Sequence, residues 1–179
     1  MSTLTFRAAT SADIPALITL VTSAYRGDAS RVGWTTEADL LDGARIDAEG
    51  IQGDLDRPRS TILLAESEGQ LVACAHIADV DGKGYFGMFS VDPTQQGGGV
   101  GKQLMDAAEA HAAREWNLSV MQMTVIDVRD ELIAFYERRG YLRTGIKKPF
   151  PYGDERFGIP KRDDLRFEIL EKPLAGATA

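Results

Sequence analysis

Residues 88–105 read MFSVDPTQQGGGVGKQLM. An apolar run ends at Val91, and Pro93 then breaks the run because proline cannot donate a hydrogen bond to a sheet. Four glycines follow, and beyond them Leu104, Ala108 and Ala112 recur at helical spacing. The stretch therefore predicts a strand, a glycine-rich turn and a helix, in that order.

The start of this predicted helix is suited to bind phosphate. A helix N-terminus has about four backbone N–H groups without internal partners and a partial positive charge. Phosphate oxygens bind such groups when no side chain obstructs the approach. The glycines in the turn carry no side chain and permit positive φ angles. The turn is therefore a candidate phosphate-binding loop.

Known phosphate loops differ in the spacing of their glycines. A P-loop requires glycine where Gln96 stands, and Ser or Thr after the Gly-Lys pair, and this chain has neither. The dinucleotide pattern G-x-G-x-x-G, counted from Gly97, meets Lys102 at its last glycine and lacks a full βαβ unit with a suitably placed acid. The third pattern, Gln/Arg-x-x-Gly-x-Gly/Ala, is met by Gln96, Gly99 and Gly101. An ordinary glycine-rich connection remains the alternative.

This third pattern resembles the pyrophosphate loop of the GNAT superfamily, the acetyl-CoA-dependent N-acetyltransferases. The stretch ELIAFYERRGY at 131–141 resembles the A-x-x-F-Y-x-x-x-G-F segment of the same superfamily. The order of predicted elements looks like the whole GNAT fold over nearly all of the chain. The resemblance implies an α/β fold with a mixed, mostly antiparallel sheet of about six to seven strands, flanked by helices, with a splayed parallel strand pair.

The N-terminal half alternates strand, helix and loop patterns. A strand is predicted at 4–8, and an amphipathic helix follows through Tyr25, started by Thr10 and Asp13. A second short helix is predicted at 36–44, and 47–58 is interpreted as mostly loop with room for one helical turn.

The rest of the chain predicts most of the sheet. Strands at 61–66, 70–80 and 85–91 are expected to form an antiparallel meander, because tight turns separate them. A strand at 118–128 should pair in parallel with the last of these across the crossover helix. The remaining predicted elements are a helix at 131–139, strands at 141–146 and 165–170, and a loop at 148–164.

Length and composition exclude several classes of protein. With 179 residues, one domain at 1–174 and a disordered tail at 175–179 are expected. No stretch approaches the ~20 apolar residues that span a membrane, and no signal peptide is recognisable, so a cytoplasmic location is expected.

The net charge of −7 argues against nucleic-acid binding. Two histidines and one cysteine without clustered spacing predict no metal site, and Cys74 is expected to be a buried apolar residue.

The resemblance implies that the cofactor is acetyl-CoA (CoA). The pantetheine arm would hydrogen-bond to the strand backbone, and the pyrophosphate to the glycine loop. Arg129 stands where the family often has a cofactor-binding Asn, so Arg129 is a candidate for contact with a phosphate or an acceptor carboxylate. The complete set of cofactor-binding candidates is Phe89, Ser90, Val91, Gln96, Gly97, Gly98, Gly99, Val100, Gly101, Lys102 and Arg129.

Transfer to an amine requires an unprotonated amine, a polarised thioester carbonyl and a stabilised thiolate. Tyr136 matches the family tyrosine, which implies a role as the proton donor to sulfur; a packing role in the core is the alternative. A backbone N–H near Val91 would polarise the carbonyl. His76 is a candidate base because its ordinary pKa is about 6.5, with a structural histidine or a water chain through Ser90 as alternatives.

In this family the loop between the first two helices builds much of the acceptor pocket, so Tyr25, Arg31 and Trp34 are candidate acceptor-binding residues. The acceptor would be an amine of a small molecule or peptide that attacks directly in a ternary complex. A non-catalytic CoA-binding sensor with the same fold and a nucleotide-binding module with the same loop stay open as alternatives. Dimerisation is common among family members, but the sequence does not show whether this chain forms a homodimer.

Overall fold

A computed structural model describes residues 3–25, 41–42, 47–95, 98–150, 159–161 and 163–174. Its centre is a seven-stranded sheet in the order β1-β3-β4-β5-β6-β9-β7. Only β5 and β6 are parallel; the other pairs are antiparallel. The strands are β1 Leu4–Ala8, β3 Ser60–Ser67, β4 Gln70–Val80, β5 Lys83–Val91, β6 Val120–Ile126, β7 Leu142–Pro149 and β9 Arg166–Pro173, and a separate pair joins β2 Leu41–Asp42 to β8 Ile159–Pro160.

Four helices cover the two faces of the sheet among the described residues: α1 Ile14–Tyr25, α2 Ala48–Asp56, α3 Val100–Glu115 and α4 Asp130–Arg138. Helices α1 and α2 pack on one face, where their apolar side chains share a cluster with Ile62, Leu64 and Cys74. Helices α3 and α4 pack on the other, through a larger cluster that includes Leu104 and Ile133. This architecture confirms the expected fold class, and Cys74 is buried as expected.

The start of the first helix agrees with its sequence signal. The Asp13 carboxylate accepts the Thr10 N–H at 2.8 Å, and one 3₁₀ turn leads into α1. The Arg7 guanidinium lies 2.8 Å from the same carboxylate and holds the Asp13 pKa at about 2, well below its usual range. The cap therefore also joins the first strand to the first helix.

Residues 47–58 were expected to be mostly loop, and that expectation is wrong because they contain α2. The Asp47 side chain accepts the Gly50 N–H at 2.7 Å and begins the helix. Ile51 is fully buried and Leu55 is partly buried on the same face, four residues apart. Two glycines lower the intrinsic helix propensity of this segment, and tertiary burial of this short apolar stripe overrides that signal.

Two further expectations need correction, and one lies outside the described residues. The helix predicted at 36–44 is wrong at Leu41–Asp42, which form a strand instead; the rest of that prediction falls on residues that are not described. The loop expected at 148–164 contains the end of β7 and the strand β8. The tail at 175–179 is outside the described residues. The meander, the parallel strand, the final strands and α4 are confirmed within one to three residues at most ends.

Candidate active site

The parallel strands β5 and β6 meet at one end and then separate. Their register contains two pairs, Gly84–Met121 and Tyr85–Gln122, and no pair beyond Tyr85. A Cβ built on Gly84 would lie 2.9 Å from the Met121 sulfur, so glycine allows the strands to approach closely at this point. The splayed pair expected from the resemblance is therefore present, and a gap opens between the two strand ends.

A bulge turns the β5 backbone at the open end of this gap. The β4–β5 register passes from His76–Gly87 to Cys74–Ser90, so two residues of β5 oppose one of β4. Met88 adopts a left-handed conformation with φ of 53° within the bulge. The Ser90 hydroxyl donates to the Met88 carbonyl at 3.1 Å, and this bond keeps the Ser90 side chain inside the fold.

As a result of the bulge, Met88 packs on the α1 side, whereas Phe89 and Val91 pack on the α3 side. Ser90 is completely buried. The three residues predicted to contact the cofactor through their backbone thus follow the bulge directly, along the splayed part of β5. Their side chains serve the core, which agrees with a role carried by the backbone.

The N-terminus of α3 lies directly after this strand. Gly99 is its N-cap with φ of 81°, a conformation that favours glycine, and no side chain of a described residue caps the helix. The first turn contains no acidic residue, and Lys102 is exposed. The first backbone N–H groups of α3 therefore form a positive helix end, as the loop prediction requires. Gln96 and Gly97 lie outside the described residues.

Gly101 has a different role from Gly99. A Cβ built on Gly101 would lie 3.0 Å from Cζ of Phe89 and 3.7 Å from Cζ of Phe135. The missing side chain therefore allows α3 to pack against the aromatic rings beneath it. Gly98 is exposed, and among the described residues a Cβ there would have only a backbone oxygen within 4 Å, at 3.9 Å. Of these three positions, only Gly98 accepts a side chain without strain.

Tyr136 lies in the aromatic cluster under this helix end. It is 3% exposed, and its ring centroid is 6.1 Å from that of Phe89 and 6.1 Å from that of Tyr141. Phe135 is half-buried and stacks on Phe89 at 6.1 Å. The fold thus brings Tyr136, Phe89 and Gly101 together, although they lie far apart in the sequence.

A polar network that was not predicted from the sequence lies next to Tyr136, around the neighbouring ring of Tyr141. The buried Tyr141 hydroxyl donates to the Glu109 carboxylate at 2.9 Å, and Lys172 binds the same carboxylate at 2.8 Å. Burial raises the pKa of Tyr141, so the phenol stays protonated. The Tyr141 N–H also donates to the Tyr136 carbonyl at 3.1 Å. The aromatic residue after Gly140 was a visible signal for Tyr141, but nothing in the sequence pointed to its partners.

His76 lies on the other face of the sheet, toward α2. It is 6% exposed, its Nε2 is 2.7 Å from the Ser60 hydroxyl, and its Nδ1 is 3.7 Å from the Asp54 carboxylate. The Ser60 hydroxyl donates its one proton to the Asp54 carbonyl at 2.7 Å, so Nε2 of His76 must donate to Ser60. In the neutral ring, Nδ1 is then the unprotonated nitrogen and faces Asp54.

Burial lowers the pKa of His76, and the Asp54 carboxylate opposes this effect. Burial therefore favours the neutral form of the ring, in which Nδ1 can accept a proton. His76 was predicted from the sequence as a candidate base, whereas its partners Ser60 and Asp54 were not predicted. Asp54 lies in the segment that was expected to be a loop, which is why its contact with β4 was not anticipated.

The remaining predicted site residues are only partly described. Arg129 is the N-cap of α4, is half-buried and follows the end of β6, at the same edge of the sheet as Val91. Tyr25 ends α1, and its side chain is not among the described ones. Arg31 and Trp34 lie outside the described residues, so the acceptor-loop prediction stays a prediction.

A polar cavity of about 780 Å³ lies between the end of β6 and strands β7 and β9. Arg143 and Lys147 both contact the Glu168 carboxylate, at 2.5 and 2.6 Å, and Arg166 lies 3.0 Å from Asp127. Glu168 is 2% exposed, and its hydrogen bonds to Arg143 and Lys147 hold its pKa at about 2. Since these cations already have carboxylate partners, the cavity is less suited to phosphates than the start of α3.

Two negative findings concern the described residues alone. None of their helices is both long and apolar enough to cross a membrane. Within the same residues, no three His, Cys, Asp or Glu side chains form a group that could hold a metal ion.

Comparison with known proteins agrees with this geometry. Residues 19–141 match the model of the acetyltransferase (GNAT) family. An IAA acetyltransferase of Azospirillum brasilense is 32% identical over an alignment of 125 residues that covers 67% of this chain and 72% of the relative. The ribosomal-protein-S18-alanine N-acetyltransferase of Escherichia coli has a similar structure, with a TM-score of 0.71, 15% identity and coverage of 99% and 96% of the two chains. A Bacillus anthracis protein solved in complex with acetyl coenzyme A has a TM-score of 0.58 at 18% identity, over 69% and 68% of the two chains.

Proposed function

Because the chain belongs to the GNAT family of acetyl-CoA-dependent acetyltransferases, we propose that it transfers the acetyl group of acetyl-CoA to an amine of a small molecule or peptide. The amine attacks directly in a ternary complex. The observation that carries this proposal is the gap between β5 and β6, which ends beside the positive N-terminus of α3.

The residues at this place fit CoA. Backbone N–H groups from Gly99 to Lys102 would bind the pyrophosphate, since no acidic side chain stands in the first turn of α3. The backbone of residues 89–91 would bind the pantetheine arm, and Arg129 at the end of β6 is placed for a further contact. The bound cofactor supplies an activated acyl thioester.

Two side chains move protons in this proposal. The neutral His76 ring accepts the proton that the amine loses, at Nδ1 or through a water, and Asp54 at 3.7 Å stabilises the charged ring. Tyr136 donates its phenolic proton to the departing sulfur. A bond between nitrogen and the acetyl carbon forms, the carbon–sulfur bond breaks, and proton return from His76 to Tyr136 through solvent completes the cycle.

Release of free thiol from acetyl-CoA, measured with a panel of amines, tests the proposal together with calorimetric titration of CoA. IAA, after which the Azospirillum brasilense relative is named, is tested separately from the amines. We expect micromolar to millimolar binding of CoA and thiol release that depends on an amine. Binding without turnover of any acceptor would favour a CoA-binding sensor, and displacement of CoA by ATP or NAD would favour a nucleotide-binding module.

A further inference from the structure

On the face of the sheet that α1 and α2 cover, several described residues of the splayed strands are partly exposed to solvent. Tyr85 and Gly87 of β5 are half-buried on this face, whereas Phe86 between them is 2% exposed on the other. On β6, Gln122 is half-buried and Thr124 is exposed, both on this same face of the sheet. Partial exposure in the centre of a seven-stranded sheet marks an opening beside the gap.

Tyr85 lies across this opening because Gly87 leaves room for its ring. A Cβ built on Gly87 would lie 2.2 Å from the Tyr85 phenol oxygen and 2.5 Å from its Cζ. No other residue type at position 87 would allow this placement. The ring also meets His76 edge to face, with centroids 5.6 Å apart.

The position of the ring relates it to the path of an acceptor. Tyr85 and Gln122 form the last pair before the strands separate. From this point the ring extends over Gly87 toward the bulge at Met88, and therefore toward the backbone of residues 89–91. The opposite face of the same strand is filled by the aromatic cluster of Phe89, Phe135 and Tyr136. Among the described residues, the ring of Tyr85 therefore lies on the side of the gap that the aromatic cluster leaves open.

We propose that Tyr85, held over Gly87, is a specificity-determining residue that restricts the acceptor to slender primary amines. These are amines with an unbranched, non-aromatic chain next to nitrogen. The inference rests on the proposed acetyl transfer and deepens it, because it assigns the acceptor side of the same site.

The experiment compares acceptor selectivity among variants. Thiol release is measured with n-butylamine, benzylamine and tryptamine, and the ratio of kcat/KM for each aromatic amine to that for n-butylamine is recorded. Tyr85→Ala removes the ring and should raise this ratio at least tenfold, with the KM of acetyl-CoA changed less than twofold. Gly87→Ala displaces the ring without removing it and should shift the ratio in the same direction. Tyr85→Phe keeps the ring and should leave the ratio near that of the parent.

A matched control is Phe6→Ala, which removes another partly exposed aromatic side chain from β1 at the edge of the sheet. It should not change the ratio. If CoA binds normally and neither Tyr85→Ala nor Gly87→Ala gains activity with an aromatic amine, the inference is overturned. If Tyr85→Ala does not fold, Gly87→Ala decides alone. If the parent protein does not bind CoA in calorimetry, the proposed function itself fails and this inference fails with it.

Discussion

A single charge placed at Gly98 tests whether the start of α3 binds the pyrophosphate. Gly98 precedes the N-cap and is exposed. Among the described residues, only the Gln95 carbonyl oxygen lies within 4 Å of a built Cβ, at 3.9 Å. Gly99 is less suitable because of its φ of 81°, and Gly101 because a Cβ would press on Phe89 at 3.0 Å. Gly98→Glu and Gly98→Gln have the same length and differ in one charge, so comparing them isolates electrostatics from steric effects.

The two effects of the carboxylate have opposite signs. An acidic side chain near a helix N-terminus stabilises the helix by about 0.3–1 kcal/mol, so the free energy of unfolding should stay equal or rise. A pyrophosphate with two negative charges about 7 Å away would be repelled by about 1–2.5 kcal/mol at an effective dielectric constant of about 40–80. Gly98→Glu should therefore bind CoA about 5- to 70-fold more weakly than Gly98→Gln.

Calorimetric titration with CoA measures the two affinities, and thermal melts without CoA measure stability. The difference between the variants should shrink as salt approaches about 1 M, where the screening length is about 3 Å. Equal affinities of the Glu and Gln variants at low salt would refute the assignment of the phosphate site. So would a loss of affinity in Gly98→Glu that is matched by an equal loss of stability.

Three other expectations can be measured directly. Tyr136→Phe keeps the ring and should lower kcat by about ten- to a thousandfold without changing the affinity for CoA. Pre-steady-state kinetics measure the rate of the chemical step. An unchanged rate would assign Tyr136 to packing. His76→Gln should lower kcat/KM about a hundredfold or more. Because burial puts the His76 pKa below 6.5, the parent's activity should decline only below that pH. The pH–rate profile of the variant should lack this acid decline. Glu168 has a folded pKa of about 2 against 4.5, so its stabilisation is complete above pH 4.5 and is lost as the pH falls toward 2. Because Arg143 is partly exposed, the ion pair is discounted, and the parent should lose about 1–3 kcal/mol of unfolding free energy between pH 4.5 and 2 relative to Glu168→Gln. Urea titrations at several pH values measure this loss. Equal acid sensitivity of the two proteins would contradict a stabilising Arg143–Glu168 ion pair.

The elements around the candidate site could be predicted where the sequence signal is local. The glycine turn after β5 was readable because a phosphate loop is formed by consecutive residues, whose spacing is fixed by the chain. The meander was readable because tight turns join its strands. Tyr136 was found from the segment around it, and the structure places it against Phe89 and under the start of α3. Its role as a proton donor stays a prediction.

Other features depend on contacts between distant segments. The helix α2 contains two glycines and has weak local propensity, and it forms because Ile51 is buried against the sheet. His76 was visible in the sequence, but the direction of its two nitrogens depends on Ser60 and Asp54, which belong to other elements. Propensity and periodicity do not carry such information, because the energy of these contacts appears only when the elements meet.

The amino-acid sequence by itself determined the family pattern, the order of the main strands and helices, and the loop suited to a phosphate. These follow from chain stereochemistry over a few consecutive residues. Tertiary structure alone decided that Gly101 serves packing, that a bulge at Met88 turns Phe89 inward, and that Tyr85 lies over Gly87 beside the gap. Each depends on strand register and close packing, where a shift of one residue or one methyl group changes which side chains meet.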